Sequence, residues 1–474
     1  MEIAEARLDS VKRISVLEHD RLSFGRLSPT LQTQLLSRLE RFDTHHHDDP
    51  VFAWGNRCVK ARQWVGVVQV PGLQVEILPK TDDPGPRTAT DRGLSNRWQP
   101  STRWEKRRQR SRANLLYMLQ VAGVLKFRDR ATADFRDSEL PILDAVGRTF
   151  AVRLQRELLR GLDSSYIRLE ENSPRFRGKL LIPKQVRYNA AHRERFFCRS
   201  DEFLPDTRMN RVFKAVCHRL LDVTTRPATQ EPLRHCLLLL NDVTNAPIGR
   251  EVFDTVVFDR QNERFKDLFE FCRWVIEGRS PALQAGRRTS FSLLFNMNAV
   301  FETFVAEFLR RRVAPEIGCR MLAQSSGRPV WLMKPRDGGR GGVRLRPDVL
   351  IEGSNTSSIL DRERNDTALV LDTKWKKLED RKRPSNADLY QLYAYLQRFG
   401  TARSILLYPR VVNSRCRDFD IIDSEGQETG QRIAVRFVNL DRDLGTNAAR
   451  AELADELKGI VASGLGRCRP SESA

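Results

Sequence analysis

The sequence has few of the features that mark metal-binding, secreted and membrane proteins. Its eight cysteines form no C-x-x-C pair and lie at least 19 residues apart, which argues against a zinc knuckle or an iron–sulfur cluster. The longest purely apolar runs, such as Cys236 to Leu240, are too short for a transmembrane helix. The first twelve residues lack the apolar core of a signal peptide. We therefore expect reduced, mostly buried thiols in a cytoplasmic protein that does not enter a membrane.

Acidic residues are also fewer than basic ones. Lys and Arg number 81 and Asp and Glu 61, so the formal net charge is +20. A chain this basic usually binds a polyanion, and nucleic acid is the first candidate. The phosphate-binding motif G-x-x-x-x-G-K-[ST] is absent as well, and the glycine run 338–342 lacks its lysine. We therefore expect this chain to bind no nucleotide, so that nucleotide hydrolysis would have to come from another protein.

The 474 residues, 40% of them hydrophobic, are enough for several folded domains. We predict an α+β multidomain protein with a β-rich N-terminal domain (1–112), a mainly helical middle region (113–285) and a C-terminal α/β domain (286–474). The first domain contains a predicted hairpin, 64–70 and 73–79 around Pro71-Gly72, and an Arg-rich loop at 81–112. In the middle region, a basic and irregular segment (175–199) interrupts the helices. The last domain alternates helices and strands, which predicts a three-layer fold around a mixed sheet. Its predicted elements are a helix at 298–312, strands at 330–333, 343–351 and 368–375, a helix at 386–399 and a strand at 404–408.

Two acidic residues and a lysine are predicted to meet in this last domain. Side chains alternate faces along a strand, so Asp372 and Lys374 in Leu369-Val-Leu-Asp-Thr-Lys-Trp375 point the same way. If the strand containing Arg346-Pro-Asp-Val-Leu-Ile351 pairs with this one as an antiparallel hairpin, Asp348 lies beside Asp372. Two neighbouring carboxylates repel each other unless a cation lies between them, and hard oxygen ligands select Mg²⁺, or alternatively Mn²⁺. The pattern predicts a metal-dependent phosphodiesterase in which Lys374 orients or deprotonates the attacking water.

A purely structural interpretation of these residues is also available. The pair Asp372 and Lys374 is compatible with an ordinary ion pair on a strand, and Asp348 with a turn cap. Asp372, however, interrupts an apolar strand, where an unpaired carboxylate costs several kcal/mol. This cost favours a functional role.

The pattern of Pro347-Asp348 followed by Asp372-Thr373-Lys374 resembles the catalytic motif of the PD-(D/E)xK nucleases, which implies a restriction-endonuclease-like fold for residues 286–474. Glu302 falls where members of that superfamily often have a further acid, although a solvated glutamate at the edge of a helix is an alternative. Gln391 and Tyr395 have the Q-x-x-x-Y spacing of RecB-type nucleases. The resemblance implies the catalytic set Asp348, Asp372, Lys374, Glu302 and Gln391, with Asp348 and Asp372 as metal ligands.

Over residues 55–410 the chain resembles the McrC family more specifically. The segments that resemble it are 65–80, 114–119, 177–180, 295–302, Arg346-Pro-Asp348 and Leu371-Asp-Thr-Lys-Trp375. McrC proteins are nuclease subunits of modification-dependent restriction systems that act on methylated cytosine. The resemblance implies a Mg²⁺-dependent endonuclease, a McrB-type AAA+ GTPase hexamer as partner and double-stranded DNA as substrate. It also implies that the chain stimulates the GTPase.

Basic segments indicate where DNA would bind. We expect phosphate contacts from residues near the acids and from the basic segment of the middle region. The candidates are Arg340, Arg344 and Arg346 in the first group, and Arg175, Arg177, Lys179 and Arg187 in the second. Solvated loops or a contact with an acidic protein are the alternatives. A second function hypothesis treats the whole chain as a regulatory adaptor of an AAA+ motor with a vestigial nuclease site.

Overall fold

The computed structural model describes residues 11–22, 28–44, 49–55, 58–80, 102–125, 140–277, 290–323, 330–336, 341–352, 367–378 and 383–466. The strands are β1 (Lys12–Leu17), β2 (Phe52–Gly55), β3 (Cys58–Ala61), β4 (Trp64–Val70), β5 (Leu73–Leu78), β6 (Ser165–Ser173), β7 (Lys179–Leu180), β8 (Phe196–Leu204), β9 (Phe291–Asn296), β10 (Arg320–Ala323), β11 (Val330–Met333), β12 (Val343–Leu345), β13 (Val349–Glu352), β14 (Thr367–Thr373), β15 (Arg403–Pro409), β16 (Arg417–Ile422) and β17 (Glu428–Val438).

The α-helices are α1 (Pro29–Thr44), α2 (Thr102–Val121), α3 (Ile142–Leu159), α4 (Ile182–Asn189), α5 (Arg208–Val223), α6 (Pro227–Leu239), α7 (Lys266–Glu277), α8 (Met297–Phe308), α9 (Ala314–Ile317), α10 (Asn386–Phe399) and α11 (Asn447–Gly464). Short 3₁₀ segments lie at Arg250–Asp254 and Glu263–Phe265, and a π-helical turn at Leu309–Val313 joins α8 to α9. Among the described residues, no helix is both long and apolar enough to cross a membrane.

Contacts divide the chain into two compact units where the sequence predicts three regions. One unit combines residues 1–142 with 282–474, and the other comprises residues 143–281. The first unit contains a four-stranded sheet in the order β1-β5-β4-β9. Its hairpin β4–β5 lies where the sequence predicts it, but β9 comes from the region assigned to the C-terminal domain. Gly66 lets β9 approach, since a Cβ atom there would lie 1.9 Å from the carbonyl oxygen of Leu293.

The predicted loop at 81–112 is wrong for its last third, because residues 102–112 begin the helix α2. This stretch contains neither Gly nor Pro and is rich in Arg, Lys, Gln and Glu, all good helix formers. The helix is tied to the sheet by Arg112, whose guanidinium forms a buried ion pair with Glu76 at 2.5 Å. The carboxylate of Glu76 also accepts a hydrogen bond from the Ile142 backbone at 3.0 Å. Residues 81–101 lie outside the described part of the chain.

The second sheet of this unit has six strands in the order β10-β13-β14-β15-β17-β16. It is mixed, since β14, β15 and β17 run parallel to one another whereas β10, β13 and β16 pair antiparallel to their neighbours. Helix α10 packs on one face through Leu392, Tyr395 and Leu396. On the other face, Gly464 of α11 lies against Leu369 and Ile405 so closely that a Cβ atom would clash with both. This arrangement confirms the predicted three layers around a mixed sheet.

The unit of residues 143–281 is less purely helical than predicted. Segment 175–199 contains β7, α4 and the start of β8, and these strands join β6 in a three-stranded sheet with the order β6-β8-β7. Charged residues face each other across it: Glu170 opposes Arg199, and their side chains form an ion pair at 2.7 Å. Because much of this sheet is exposed, its strands carry charges instead of alternating apolar residues, so hydrophobic periodicity does not reveal them.

Six of the eight cysteines are free thiols. The thiols of Cys198, Cys217, Cys236 and Cys272 are free and buried, as expected of reduced thiols acting as small apolar side chains. Cys319 is half-buried and Cys416 exposed.

Candidate nuclease site

The strands β13 and β14 pair antiparallel, as the sequence predicts. Val349 lies opposite Leu371 and Leu350 opposite Val370, so the register continues to Asp348 opposite Asp372. Asp348 directly precedes β13 and is 5% exposed, whereas Asp372 lies within β14 and is 1% exposed. The hairpin therefore brings two buried carboxylates to the same end of the sheet.

Asp348 is oriented by the residue that follows Asp372. Its Oδ2 atom accepts hydrogen bonds from both the backbone N and the Oγ1 of Thr373, each at 2.7 Å. A carboxylate held by two donors has a defined position, because any rotation would leave a buried donor unsatisfied. Thr373 was not among the predicted site residues. The sequence does contain a signal for Thr373, because a residue with a hydroxyl group occupies the middle position of the D-x-K motif.

Lys374 lies on the same face as Asp372, as strand alternation predicts. Its Nζ atom is 2.7 Å from Asp372 Oδ2 and 3.1 Å from Gln391 Oε1. Burial lowers the pKa of Lys374, but the Asp372 carboxylate more than offsets this and leaves the pKa above its usual value. Lys374 therefore holds its proton at neutral pH and acts as a hydrogen-bond donor, which favours orienting a water over deprotonating it.

Helix α10 contributes further polar side chains to the site. Ser385 caps its N-terminus by accepting from the backbone N of Asp388, and the helix then presents Gln391 and Tyr395 one turn apart. Gln391 Nε2 donates to the Tyr395 hydroxyl at 2.7 Å. That hydroxyl also shares a hydrogen bond with the backbone of Arg346. The chain Lys374–Gln391–Tyr395 thus connects the lysine to the segment that carries Asp348.

The carboxylates of the site interact strongly with one another. Burial, followed by the charge of Asp348, raises the pKa of Asp372 to about 6. Burial, followed by the charges of Asp348 and Asp372, raises the pKa of Glu302 on α8 to about 7. The charges of both aspartates therefore act on Glu302. Within the described part of the chain, however, no three His, Cys, Asp or Glu side chains form a group that could hold a metal by themselves.

The predicted phosphate-binding residues fall in different parts of the chain. Arg344 on β12 is exposed and its guanidinium lies over the Trp331 ring, 4.4 Å from the centroid. Arg346 is also exposed, two residues before Asp348. Arg340 lies outside the described residues. In the 143–281 unit, the exposed residues Arg175, Arg177, Lys179 and Arg187 lie on or beside β7 and α4.

Comparison with known proteins identifies a family and a fold. A family model described as "McrBC 5-methylcytosine restriction system component" matches residues 59–409. A chain of the refined half-complex from the tetradecameric assembly of Thermococcus gammatolerans McrB AAA+ hexamers with bound McrC has a TM-score of 0.64 at 22% identity, covering 95% of this chain and 100% of that chain. A chain of the cryo-EM structure of the T. gammatolerans McrBC complex has a TM-score of 0.48 at 24% identity, covering 64% of this chain and 88% of that chain. The comparison with curated proteins finds no match. The first of these structures shares the overall fold.

Proposed function

Because the chain belongs to the family of McrBC 5-methylcytosine restriction system components, we propose that it is the McrC-type subunit that cleaves DNA in such a system. The observation that carries the proposal is the convergence of Asp348, Asp372 and Lys374 at one end of a mixed sheet. A structure similar in fold contains McrB AAA+ hexamers with bound McrC. We accordingly propose a McrB-type GTPase hexamer as the partner that this chain stimulates in the cytoplasm.

The acidic pair fits a hard divalent cation. Asp372 is buried beside Asp348, and the charge of Asp348 opposes ionisation of Asp372. A cation between them would remove this repulsion. Mg²⁺ binds proteins through one or two carboxylates and takes its remaining ligands from water and substrate phosphate, so it does not need a third acid. Asp348 and Asp372 would hold the ion, which when bound supplies Lewis-acid stabilisation of the phosphate and acidifies water.

The protein's own groups then orient the reactants. Thr373 fixes one oxygen of Asp348 through two hydrogen bonds and so orients the carboxylate that would hold the ion. Lys374, protonated and held by Asp372 and Gln391, donates a hydrogen bond to the attacking water or to the phosphate. The domain that carries these residues would then be a restriction-endonuclease-like domain of the PD-(D/E)xK type. Glu302, whose pKa of about 7 lies near neutral pH, is proposed to exchange a proton at the edge of the site.

DNA is proposed to lie along the exposed arginines beside the acids. Arg344 and Arg346 lie four and two residues before Asp348, so phosphates bound there would lead towards the cleavage site. Phosphate contacts give affinity without reading the base sequence. Recognition of the modified cytosine is therefore assigned to the partner.

Cleavage by the assembled complex tests the proposal. Asp372→Asn and Lys374→Met remove a metal ligand and the donor, and we expect each to lower cleavage of methylated DNA by on the order of 10³-fold. GTPase stimulation should stay at the wild-type level. Asp420→Asn and Lys458→Met are matched controls, since Asp420 and Lys458 form ion pairs elsewhere in the same unit, with Arg432 and Glu316.

Omitting Mg²⁺ should have the same effect as the two site variants. Normal cleavage by either site variant would show that the catalytic assignment is wrong. Such a result would favour the regulatory adaptor with a vestigial site.

A further inference from the structure

A buried carboxylate from the N-terminal sheet reaches the end of the strand that carries the site. Glu18 follows β1 directly and is 2% exposed. Both its oxygens accept from the indole Nε1 of Trp375, at 2.9 and 3.0 Å. Oε1 also accepts from the backbone N of Lys80 at 2.8 Å. Trp375 is the residue directly after Lys374, although Glu18 precedes it by 357 positions in the chain.

The chain around Lys374 is also held by an ion pair between Lys376 and Asp388 of α10, at 3.4 Å. Strand β14 ends at Thr373, and the last bond to the neighbouring strand runs from the Lys374 backbone N to Leu407 O at 2.9 Å. Lys376 N then donates only to Lys374 O, a local contact. Among these contacts, the hydrogen bond between Glu18 and Trp375 connects the segment just after β14 to the four-stranded sheet that contains β1.

The Trp375 ring also touches the helix that carries Glu302. Its centroid lies 5.2 Å from that of Phe301, with the rings tilted by 57°. Trp375 thus adjoins Lys374 in sequence and, through Phe301, the first turns of α8. A change in the tilt or depth of the indole would therefore move both segments.

Burying the Glu18 carboxylate in these surroundings costs folding free energy. Burial raises its pKa to about 7, and hydrogen bonds from Lys80 and Trp375 and the charges of Lys377 and Lys80 only partly oppose that effect. The other titratable neighbours on this strand end are His19 and Asp20, and Asp20 is paired with Lys80 at 3.3 Å. An apolar side chain or an amide would cost less to bury. Among the described residues, the donors to this carboxylate are the backbone N–H of Lys80 and the indole beside Lys374, so the carboxylate is tied to the position of Trp375.

We propose that Glu18 is a positioning residue for the candidate nuclease site and that it sets the place of Lys374 through the indole N–H of Trp375. This inference rests on the proposed function, because positioning matters only if Lys374 takes part in cleavage. Among the described residues, the Glu18 carboxylate bonds to Trp375 and Lys80 and not to the proposed metal ligands. Its effect should therefore appear in the cleavage step and not in DNA binding.

A double-mutant cycle on the assembled complex tests the inference. Glu18→Gln keeps the volume of the side chain, and Trp375→Phe keeps the ring packing on Phe301 but removes the N–H. We expect each to lower the single-turnover cleavage rate at saturating DNA by roughly 10- to 100-fold. DNA affinity and GTPase stimulation should be unchanged. Since both act through one bond, the double variant should be no slower than the slower single variant.

A second indole–carboxylate pair provides the matched control. Trp54 Nε1 donates to Asp43 Oδ2 at 2.7 Å in the same unit but away from the site. Asp43→Asn and Trp54→Phe should leave the cleavage rate within about twofold of wild type. Wild-type cleavage by both Glu18→Gln and Trp375→Phe, or rate losses that multiply in the double variant, would overturn the inference. So would a loss of GTPase stimulation that parallels the loss of cleavage, because it would indicate general disruption.

An NMR readout separates this inference from the proposed function. The indole N–H signal of Trp375, identified by its loss in Trp375→Phe, should shift in Glu18→Gln and stay in place in Asp43→Asn. This holds whether or not the complex cleaves. Continued cleavage by Asp372→Asn would refute the proposed function, whereas an unmoved Trp375 signal in Glu18→Gln would refute the contact itself.

Discussion

Asp348 and Thr373 are joined across the β13–β14 pair by two hydrogen bonds to one carboxylate oxygen, from the backbone N and from the hydroxyl, both at 2.7 Å. The middle residue of the D-x-K motif therefore orients the first acid of the site. The backbone bond is available to any residue at this position except proline. The hydroxyl bond requires Thr or Ser.

Thr373→Val should weaken cleavage without unfolding the protein. The substitution keeps the shape and the backbone bond but removes the hydroxyl donor, at a stability cost of about 1 kcal/mol. We expect the single-turnover cleavage rate to fall about tenfold. Thr373→Ser, which keeps the hydroxyl, should retain most of the wild-type cleavage rate. The control is Thr229→Val, since Thr229 is fully buried and belongs to the other unit. Equal cleavage by Thr373→Val and wild type would contradict this role.

Gln391→Leu should leave Lys374 with one partner instead of two. Gln391 accepts from Lys374 and donates to Tyr395, so its loss frees the ammonium to rotate about Asp372. We expect a fall in the cleavage rate of roughly 10-fold, with a smaller change in DNA affinity. Gln397→Leu is the matched control, because Gln397 is exposed on the same helix and binds Gln431. If the two variants behaved alike, the link from α10 to Lys374 would have no catalytic role.

Mg²⁺ should stabilise the protein more at high pH than at low pH. The pKa of Asp372 is raised from 3.8 to about 6, so its ionisation destabilises the folded state increasingly as pH rises through this interval. A bound cation offsets that repulsion only when the carboxylate is ionised. We expect Mg²⁺ to add on the order of 1–2 kcal/mol of stability at about pH 8 and much less at about pH 5. Thermal melts with Mg²⁺ or a chelator measure this difference.

Two variants test whether this stabilisation depends on Asp372. The stabilisation by Mg²⁺ should disappear in Asp372→Asn and persist in Asp420→Asn, since Asp420 lies on β16 and pairs with Arg432. A Mg²⁺ effect of equal size at both pH values would argue against a site that contains Asp372.

Arg344→Ala and Arg346→Ala should reduce DNA affinity and its salt dependence. Each phosphate contact contributes about 0.9 to the slope of log K against log salt, so the double variant should lower the slope by up to about 1.8. Binding titrations at several salt concentrations, on methylated and unmethylated DNA, measure it. Both DNAs should be affected equally, because phosphate contacts carry no base information. Arg432→Ala, on β17 and paired with Asp420, should change neither quantity.

Local patterns in the sequence predicted much of the fold. The helix 386–399 has the predicted bounds, and the hairpin around Pro71-Gly72 differs from the prediction only in that its second strand ends at Leu78 instead of Pro79. A Pro-Gly turn between two β-rich runs is a local signal. Strands β16 and β17 and helix α11 were missed. In β16, acids alternate with apolar residues, and Asp418 and Asp420 pair with arginines of β17. Such a strand resembles a polar loop until its partner is known.

Contacts between distant segments could not be predicted from these patterns. Asn114 of α2 donates to the carbonyl oxygens of Leu440 and Arg442, and its Oδ1 accepts from the Leu444 backbone. Nothing in the local sequence of Asn114 specifies these partners, which lie more than 300 positions away. The same is true of β9, which joins the N-terminal sheet beside β4.

By itself, the sequence determined that Asp372 and Lys374 share one face of a strand, because alternation of side chains is a property of the extended backbone. It also predicted that an antiparallel pairing of the two strands would bring Asp348 beside Asp372. Only the tertiary structure decided which groups hold these three side chains in place. Thr373, Gln391 and Glu18 became their supports through packing of separate elements, and such packing depends on the whole chain and not on any local repeat.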